Sequence, residues 1–142
     1  MSAVPAVAQQ FVPIQGTLTT TFVLAPTPVP GVFTLTFSSV GHVSYLGRTT
    51  GSSVHTVDQT VSPALQYGTN TYIAANGDSL FSTYSGTASP PDVNGVIQFS
   101  GTQTFTGGTG RFNGATGSTT LQGTANVYTG IGQFTFSGII SK

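Results

Sequence analysis

The side chains with the greatest capacity for acid–base or metal chemistry are two histidines and an aspartate. His42 and His55 are the only histidines in the chain, and Asp58 follows closely after His55. With one of the many serines they could form a Ser-His-Asp hydrolase site, or without it a divalent-metal site. The spacing fits no metal motif, however, and no G-x-S-x-G nucleophile elbow precedes a helix. We therefore predict neither a metal nor a cofactor, and keep His42 and Asp58 as candidate ligand contacts.

Four tyrosines form a second group of candidates, and their chemistry is hydrogen bonding. Tyr45, Tyr72, Tyr84 and Tyr128 carry phenol groups that could donate to the carbonyl of a ligand in an apolar cavity. The alternative is that these amphipathic side chains form rings at the mouths of a barrel. Asp58 has a similar ambiguity, because an aspartate within a strand either faces water or lies inside with a shifted pKa.

The composition restricts the partners of the chain. Charged residues make up 4% of the 142 residues, against about 25% in an average globular protein, and there is no glutamate. Because no basic patch exists, we predict no nucleic-acid partner. The absence of cysteine removes disulfides and thiolate sites, and no apolar run approaches the roughly 18 residues of a membrane-spanning helix. The 10 phenylalanines and 5 tyrosines indicate a folded chain.

Apolar and polar residues alternate with a period of two from residue 14 to the end, and no helical periodicity competes with this pattern. In the second segment the apolar side chains run from Phe33 through Phe37 to Val43 and Tyr45, which predicts that all of them share one face. Gly41 interrupts the run and predicts a bulge or a sharp bend. The chain is therefore predicted to consist of strands.

Eight or nine such segments, joined mostly by short turns, predict an all-β fold. Asn76 and Gly77 mark the clearest turn, because this dipeptide is typical of a type I′ hairpin. The last segment could pair with the first, which would remove edges that a chain poor in Lys and Glu cannot protect. We predict one domain over residues 14–142, a closed eight-stranded, mainly antiparallel β-barrel of the calycin type. Its interior could be filled by side chains or hold one small ligand, with Phe37, Phe99 and Phe134 among the lining residues.

The first 13 residues are predicted to be a flexible arm or the remnant of a signal peptide. Ala6-Val7-Ala8 matches the small-x-small pattern that signal peptidase cleaves. We therefore expect an exported protein, either secreted or periplasmic. The alternative is an Ala- and Pro-rich arm on a cytoplasmic protein.

One glycine-rich segment carries a family resemblance. Residues 107–118 read GGTGRFNGATGS, which is similar to the GGTG-x-F loop of plant dirigent proteins. The segment also resembles the GGTGRF-x-GATG loop of bacterial barrels related to allene oxide cyclase. Residues 74–78 (AANGD) and the Gly47-Arg48 pair resemble further blocks of the bacterial set. The likeness extends over residues 41–140, although only the GGTG loop is distinctive.

This segment has a structural interpretation of its own. The glycines permit backbone conformations that other residues avoid, and Phe112 could fill one end of the core. Arg111 could bind carbonyl oxygens or an aspartate. Phosphate binding is the alternative for a glycine-rich loop, but no Lys-Ser/Thr pair or helix follows. We therefore assign structural roles to a set of loop residues: Gly107, Gly108, Gly110, Arg111, Phe112, Asn76, Gly77 and Asp78.

The resemblance implies an eight-stranded barrel, often a homotrimer, whose interior binds a hydrophobic small molecule. Dirigent proteins steer radical coupling, and allene oxide cyclases steer ring closure of a reactive epoxide. The catalytic glutamate of the cyclases has no counterpart here, because this chain has no glutamate. Three hypotheses stay open: a binding barrel for a hydrophobic or aromatic ligand, a cofactor-independent cyclase or stereochemical guide, and a packed structural barrel. A homotrimer or homodimer is expected for the first two.

Overall fold

Eight strands follow one another along the chain in the computed structural model, which describes residues 10–142. The strands are β1 (Val12–Pro26), β2 (Val32–Val43), β3 (Gly47–Asp58), β4 (Ala64–Ile73), β5 (Ser79–Ala88), β6 (Val96–Gly108), β7 (Thr116–Asn126) and β8 (Ile131–Ser141). Each strand pairs antiparallel with the next, and β8 pairs with β1, so the sheet closes into a barrel. The predicted eight-stranded antiparallel barrel is confirmed.

Inward and outward side chains alternate along the strands, as the pleat of a β-strand requires. On β1, Ile14, Leu18 and Thr20 are buried, whereas Thr17 and Thr19 are exposed. Threonine suits the outer positions because its branched side chain favours a strand and its hydroxyl contacts water. This alternation gives a barrel with an apolar interior and a hydroxyl-rich surface.

The bulge that was one alternative at Gly41 is absent, and the prediction that Tyr45 faces inward is wrong. Gly41 lies in uninterrupted register with Leu18 on one side and Thr49 on the other, so there is no bulge. A side chain at Gly41 would collide with the carbonyl oxygen of Thr17, and the glycine instead permits close approach of β1. Tyr45 does not continue the inward face, because β2 ends at Val43 and Tyr45 turns outward with a φ of 68°.

The Asn76-Gly77 turn joins β4 to β5 as predicted, but not as a type I′ turn. That turn needs positive φ at both central residues. Gly77 has a φ of 92°, whereas Tyr45 is the only residue other than glycine with a positive φ among those described. The Asn76 side chain instead accepts a hydrogen bond from the Asp78 backbone N–H at 3.0 Å. Glycine therefore takes the left-handed conformation, and asparagine stabilises the loop through its side chain.

The two ends of the barrel are built differently. The closed end carries the connections at residues 44–46, 74–78 and 109–115, the last of which includes one turn of 3-10 helix, Gly110–Phe112. These connections bury a set of apolar residues in the core: Leu46, Ala74, Phe112 and Ala115. The open end carries the connections at residues 27–31, 59–63, 89–95 and 127–130. The interior beneath the open end is not completely filled.

The N-terminal prediction concerns residues that are mostly outside the described part of the chain. Ala6-Val7-Ala8, the proposed cleavage pattern, lies outside the described residues. The first strand begins at Val12, two residues before the predicted boundary at residue 14. Within residues 10–142, no helix has both the length and the apolar character that crossing a bilayer requires.

Candidate functional site

The candidate site is a cavity of about 80 Å³ in the open half of the barrel. Inward-facing residues from all eight strands form its walls, and it opens to solvent between the connections of the open end. The walls are mainly apolar and include four phenylalanines: Phe22, Phe37, Phe99 and Phe134. The cavity is small compared with the roughly 300–1,000 Å³ of pockets for drug-sized ligands. It therefore fits one ring or a short apolar chain, with the rest of a larger ligand in the mouth.

A chain of hydrogen bonds begins on one wall of this cavity. The Gln66 amide donates to His55 Nδ1 at 2.9 Å, and His55 Nε2 donates to Asn70 Oδ1 at 2.8 Å. Because Nδ1 accepts from the amide, the single proton of the neutral ring lies on Nε2. Both ring nitrogens therefore have partners, and neither is free to act as a general base.

The chain continues into the core below the cavity. Asn70 Nδ2 donates to Ser82 Oγ at 3.0 Å, and Ser82 Oγ donates to Gln103 Oε1 at 2.7 Å. The Tyr72 hydroxyl also donates to Gln103 Oε1, at 2.6 Å, and the Gln103 amide donates to Thr119 Oγ1 at 3.2 Å. Burial raises the pKa of Tyr72 well above its usual range, which keeps this donor protonated. These buried polar groups are satisfied by one another, as a stable polar core requires.

His55 is held neutral by its surroundings. Burial lowers the pKa of His55 below its ordinary value, and the hydrogen bond with Asn70 only partly opposes this effect. The Tyr84 ring stacks on the imidazole with centroids 5.4 Å apart, and Phe37 meets it edge-on at 4.9 Å. Gly68 on the adjacent strand leaves the space that the imidazole occupies. The histidine is therefore a fixed, uncharged part of the cavity wall.

Tyr84 lines the cavity and carries a buried hydroxyl that lacks a partner. Its side chain is only 3% exposed, and its hydroxyl makes no hydrogen bond. Ser39 has the only other buried side-chain oxygen or nitrogen without a partner in residues 10–142, and Ser39 does not line the cavity. Burial raises the pKa of Tyr84 to about 12, so the phenol remains a donor at neutral pH. An unpaired buried hydroxyl costs free energy, which makes Tyr84 a candidate for contact with a ligand.

The mouth of the cavity is apolar as well. Each of the four connections at the open end exposes one valine: Val29, Val61, Val93 and Val127. Tyr128 is also exposed there, and its ring lies against Gly95 of the neighbouring connection. The two acidic residues of this end, Asp58 and Asp92, bind backbone N–H groups of their own loops. The route into the cavity thus passes apolar loop tips and no cation.

The structure brings together some of the predicted ligand contacts and separates others. The residues that line the cavity are Phe37, Tyr72, Tyr84, Phe99 and Phe134. His42 lies on the outer face of β2 beside Arg48, and Tyr45 lies at the closed end. Hydrogen bonds from the hydroxyl and backbone N–H of Thr60 occupy Asp58 and lower its pKa. His42, Tyr45, Asp58 and Tyr128 therefore do not contribute to the cavity walls, because strand parity or loop geometry directs them elsewhere.

The glycine-rich loop lies at the opposite end from the cavity. Phe112 is fully buried in the core of the closed end. Arg111 donates to the carbonyl oxygen of Tyr45, and its Nε lies 3.6 Å from a carboxylate oxygen of Asp78. Gly110 has a φ of 59° and packs directly against the Asp78 carboxylate. The loop and the AANGD turn therefore stabilise the closed end by joining its connections to one another, and they do not line the cavity.

Sequence reasoning missed the polar part of the cavity wall and the polar core below it. His55 was considered only for metal or hydrolase chemistry, and Gln66, Asn70 and Gln103 were not considered at all. The sequence of β4 gives no signal for them, because its apolar side chains Leu65 and Tyr67 face outward. Only pairing with neighbouring strands shows that the polar set of this strand faces inward.

Within residues 10–142, no group of three or more metal-ligating side chains converges on one point. No protein-family model, curated protein or solved structure matches the chain. The geometry alone therefore defines the class of protein: a closed antiparallel β-barrel with one packed end and one end that opens into a small, mainly apolar cavity.

Proposed function

We propose that this protein binds a small hydrophobic or aromatic molecule in the open half of its barrel and does not change it chemically. The observation that carries the proposal is the solvent-accessible, phenylalanine-lined cavity, beside a closed end whose interior holds a cluster of fully buried apolar side chains. A protein that needed only a stable barrel would gain from filling both ends, because an unfilled cavity forfeits packing. The cavity argues against the packed structural barrel.

The resemblance of residues 107–118 to the loop of dirigent-like and allene oxide cyclase-like barrels agrees with this proposal. Barrels of those families hold hydrophobic small molecules, and we extend the proposal to membership of that superfamily. The low charge content and the Ala6-Val7-Ala8 pattern further lead us to propose an exported protein. By the same resemblance we propose a homotrimer or homodimer, which native mass spectrometry measures directly.

A cyclase or stereochemical guide is the second candidate, favoured by the free hydroxyl of Tyr84 at the cavity wall. Such an enzyme would act through orientation, since both nitrogens of His55 have partners. The two functions are separated by incubating the protein with a reactive polyunsaturated epoxide and analysing the products. An altered product ratio or stereochemistry supports the cyclase, whereas release of unchanged ligand supports the carrier.

The binding proposal is tested by filling the cavity from one strand. Ala88 on β5 lines the cavity, and its neighbour Thr87 points outward into solvent. We expect Ala88→Phe to abolish uptake of an uncharged fluorescent apolar probe such as N-phenyl-1-naphthylamine. Thr87→Phe adds the same ring on the outside and should leave uptake unchanged. Equal uptake by both variants would contradict binding in the cavity.

A further inference from the structure

We propose that the ligand of this cavity is an uncharged molecule bearing a carbonyl or ether oxygen, and that this oxygen accepts a hydrogen bond from the Tyr84 hydroxyl. The inference rests on the proposed binding function and adds the chemical class of the ligand. It starts from a specific defect in the structure: Tyr84 is nearly completely buried, lines the cavity and has no partner for its hydroxyl.

The hydrogen bonds already formed in the cavity wall favour a ligand that carries a hydrogen-bond acceptor. Gln66 donates to His55, His55 donates to Asn70 and Asn70 donates to Ser82, so both ring nitrogens of His55 and the amide of Asn70 already have partners. Tyr84 stacks on His55 but does not join that chain. Because a phenol is a strong donor, an oxygen acceptor on the ligand is the group that best complements it.

The space around the hydroxyl also fits this role. A Cβ atom at Gly86, the next inward position toward the mouth, would lie 2.5 Å from the Tyr84 hydroxyl oxygen. The absence of a side chain at Gly86 therefore leaves the space that the Tyr84 hydroxyl occupies. Because the hydroxyl has almost no solvent-accessible surface in this structure, a ligand that enters between the loops of the open end must displace the side chains that cover it; its apolar part then contacts the phenylalanines while its polar group reaches the hydroxyl.

The charge distribution disfavours a carboxylate ligand. No charged side chain is among the described residues that line the cavity, and His55 is held neutral. The three cations of the chain, Arg48, Arg111 and Lys142, all belong to the closed end. A carboxylate that entered the cavity would lose its hydration with no counter-charge to replace it, which is costly.

Three ligands of similar size distinguish these cases: acetophenone with a carbonyl, ethylbenzene without one, and phenylacetate with a carboxylate. Dissociation constants are measured by NMR titration for the wild type, Tyr84→Phe and Ser39→Ala. Ser39→Ala is the matched control, since it deletes the other unpartnered buried hydroxyl, away from the cavity. Each variant is compared with the wild type for the same ligand, so the hydrophobicity of the ligand cancels.

We expect Tyr84→Phe to weaken acetophenone binding about three- to tenfold and to leave ethylbenzene binding unchanged, which is the range of one net hydrogen bond. Ser39→Ala should affect neither ligand. Phenylacetate should bind at least about tenfold more weakly than acetophenone at pH 7, because of its uncompensated charge. As a second measurement, the carbonyl stretch of bound acetophenone should lie at lower frequency in the wild type than in Tyr84→Phe.

Two results would overturn this inference while the binding function stands. One is an equal effect of Tyr84→Phe on acetophenone and ethylbenzene, with no difference in carbonyl stretch. The other is tighter binding of phenylacetate than of acetophenone. If none of the three compounds binds the wild type, the proposed binding function itself fails together with the inference.

Discussion

The two ends of this barrel use apolar residues in opposite ways. At the closed end, connections turn Leu46, Ala74 and Phe112 into the core, where each is almost fully buried. At the open end, every connection exposes a valine, and the space below is a cavity. Both ends belong to one continuous sheet, so the backbone alone does not cause the difference. The side chains of the connections decide which end is filled.

The electrostatics of the two ends differ in the same sense. The closed end holds Arg111 against Asp78 and the Tyr45 carbonyl, and Lys142 lies 4.7 Å from the Tyr45 ring centroid. The open end has two aspartates that bind only within their own loops. The connections of the open end are joined in neighbouring pairs by backbone hydrogen bonds, from Gln59 N–H to the Gly31 oxygen and from Val127 N–H to the Gly95 oxygen, whereas the ion pair among residues 10–142 belongs to the closed end. The stability of the barrel is therefore expected to come mainly from the closed end.

The largest expected effect compares one phenylalanine from each half. Phe112→Ala removes a fully buried ring from the closed end and should lower the free energy of unfolding by about 3–5 kcal/mol. Phe99→Ala removes a partly buried ring beside an existing cavity and should cost less than about 2 kcal/mol. Urea denaturation of both variants measures the difference. Equal losses would show that the two halves contribute equally to stability.

The next effect concerns the chain of buried hydrogen bonds between the two halves of the barrel. Gln103→Leu removes the acceptor of both Tyr72 and Ser82 and should cost about 2–4 kcal/mol, since each buried hydroxyl left unpaired is costly. The control is Gln98→Leu, which changes an exposed side chain on the same strand and should stay within about 0.5 kcal/mol of the wild type. Denaturation curves give both values. A small effect of Gln103→Leu would mean that water replaces the lost acceptor.

A third effect is the pH dependence that His55 introduces. Because the folded state lowers the pKa of His55, the unfolded state binds the proton more readily. This contribution to stability is present in full above the unfolded value of about 6.5 and decreases as pH falls from there toward the folded value. His55→Gln should remove this slope between pH 7 and 5, whereas exposed His42→Gln should keep it. Thermal unfolding across this range measures the slope, and its persistence in His55→Gln would contradict the assignment.

The sequence was sufficient to predict the closed barrel because apolar and polar residues alternate clearly in strands such as β1 and β8. There, threonine and glutamine face water while leucine and phenylalanine face inward, so parity identifies the inner face. The confirmed closure follows from the clean last strand, which pairs with the first along ten consecutive residue pairs. Fold class therefore depends on local pattern, which a single sequence contains.

The cavity wall was harder to predict because β4 inverts this pattern. Leu65 and Tyr67 face outward on β4, whereas Gln66 and Asn70 face inward. Parity would assign the apolar pair to the core, and a shift of one residue exchanges the two faces. The inward polar residues are stable only because His55 on the neighbouring strand and Gln103 across the interior satisfy them. Such long-range partners are a property of the register, which the sequence of one strand does not contain.

The smallest expected effect concerns the two unpartnered hydroxyls, Ser39 and Tyr84. Ser39→Ala removes a buried oxygen that has neither partner nor cavity beside it, and should raise the free energy of unfolding by about 1 kcal/mol. Tyr84→Phe should raise it by a similar amount, because the Tyr84 hydroxyl is likewise buried without a partner. Calorimetry of the free proteins measures both gains.

Saturating acetophenone should then change the order of stability. A ligand that binds only the folded state stabilises it in proportion to the logarithm of its affinity. The wild type and Ser39→Ala keep the Tyr84 donor and should gain the same amount, whereas Tyr84→Phe should gain less. If all three proteins gain equally, the Tyr84 hydroxyl is a packing defect like that of Ser39. The open end would then differ from the closed end in shape but not in recognition chemistry.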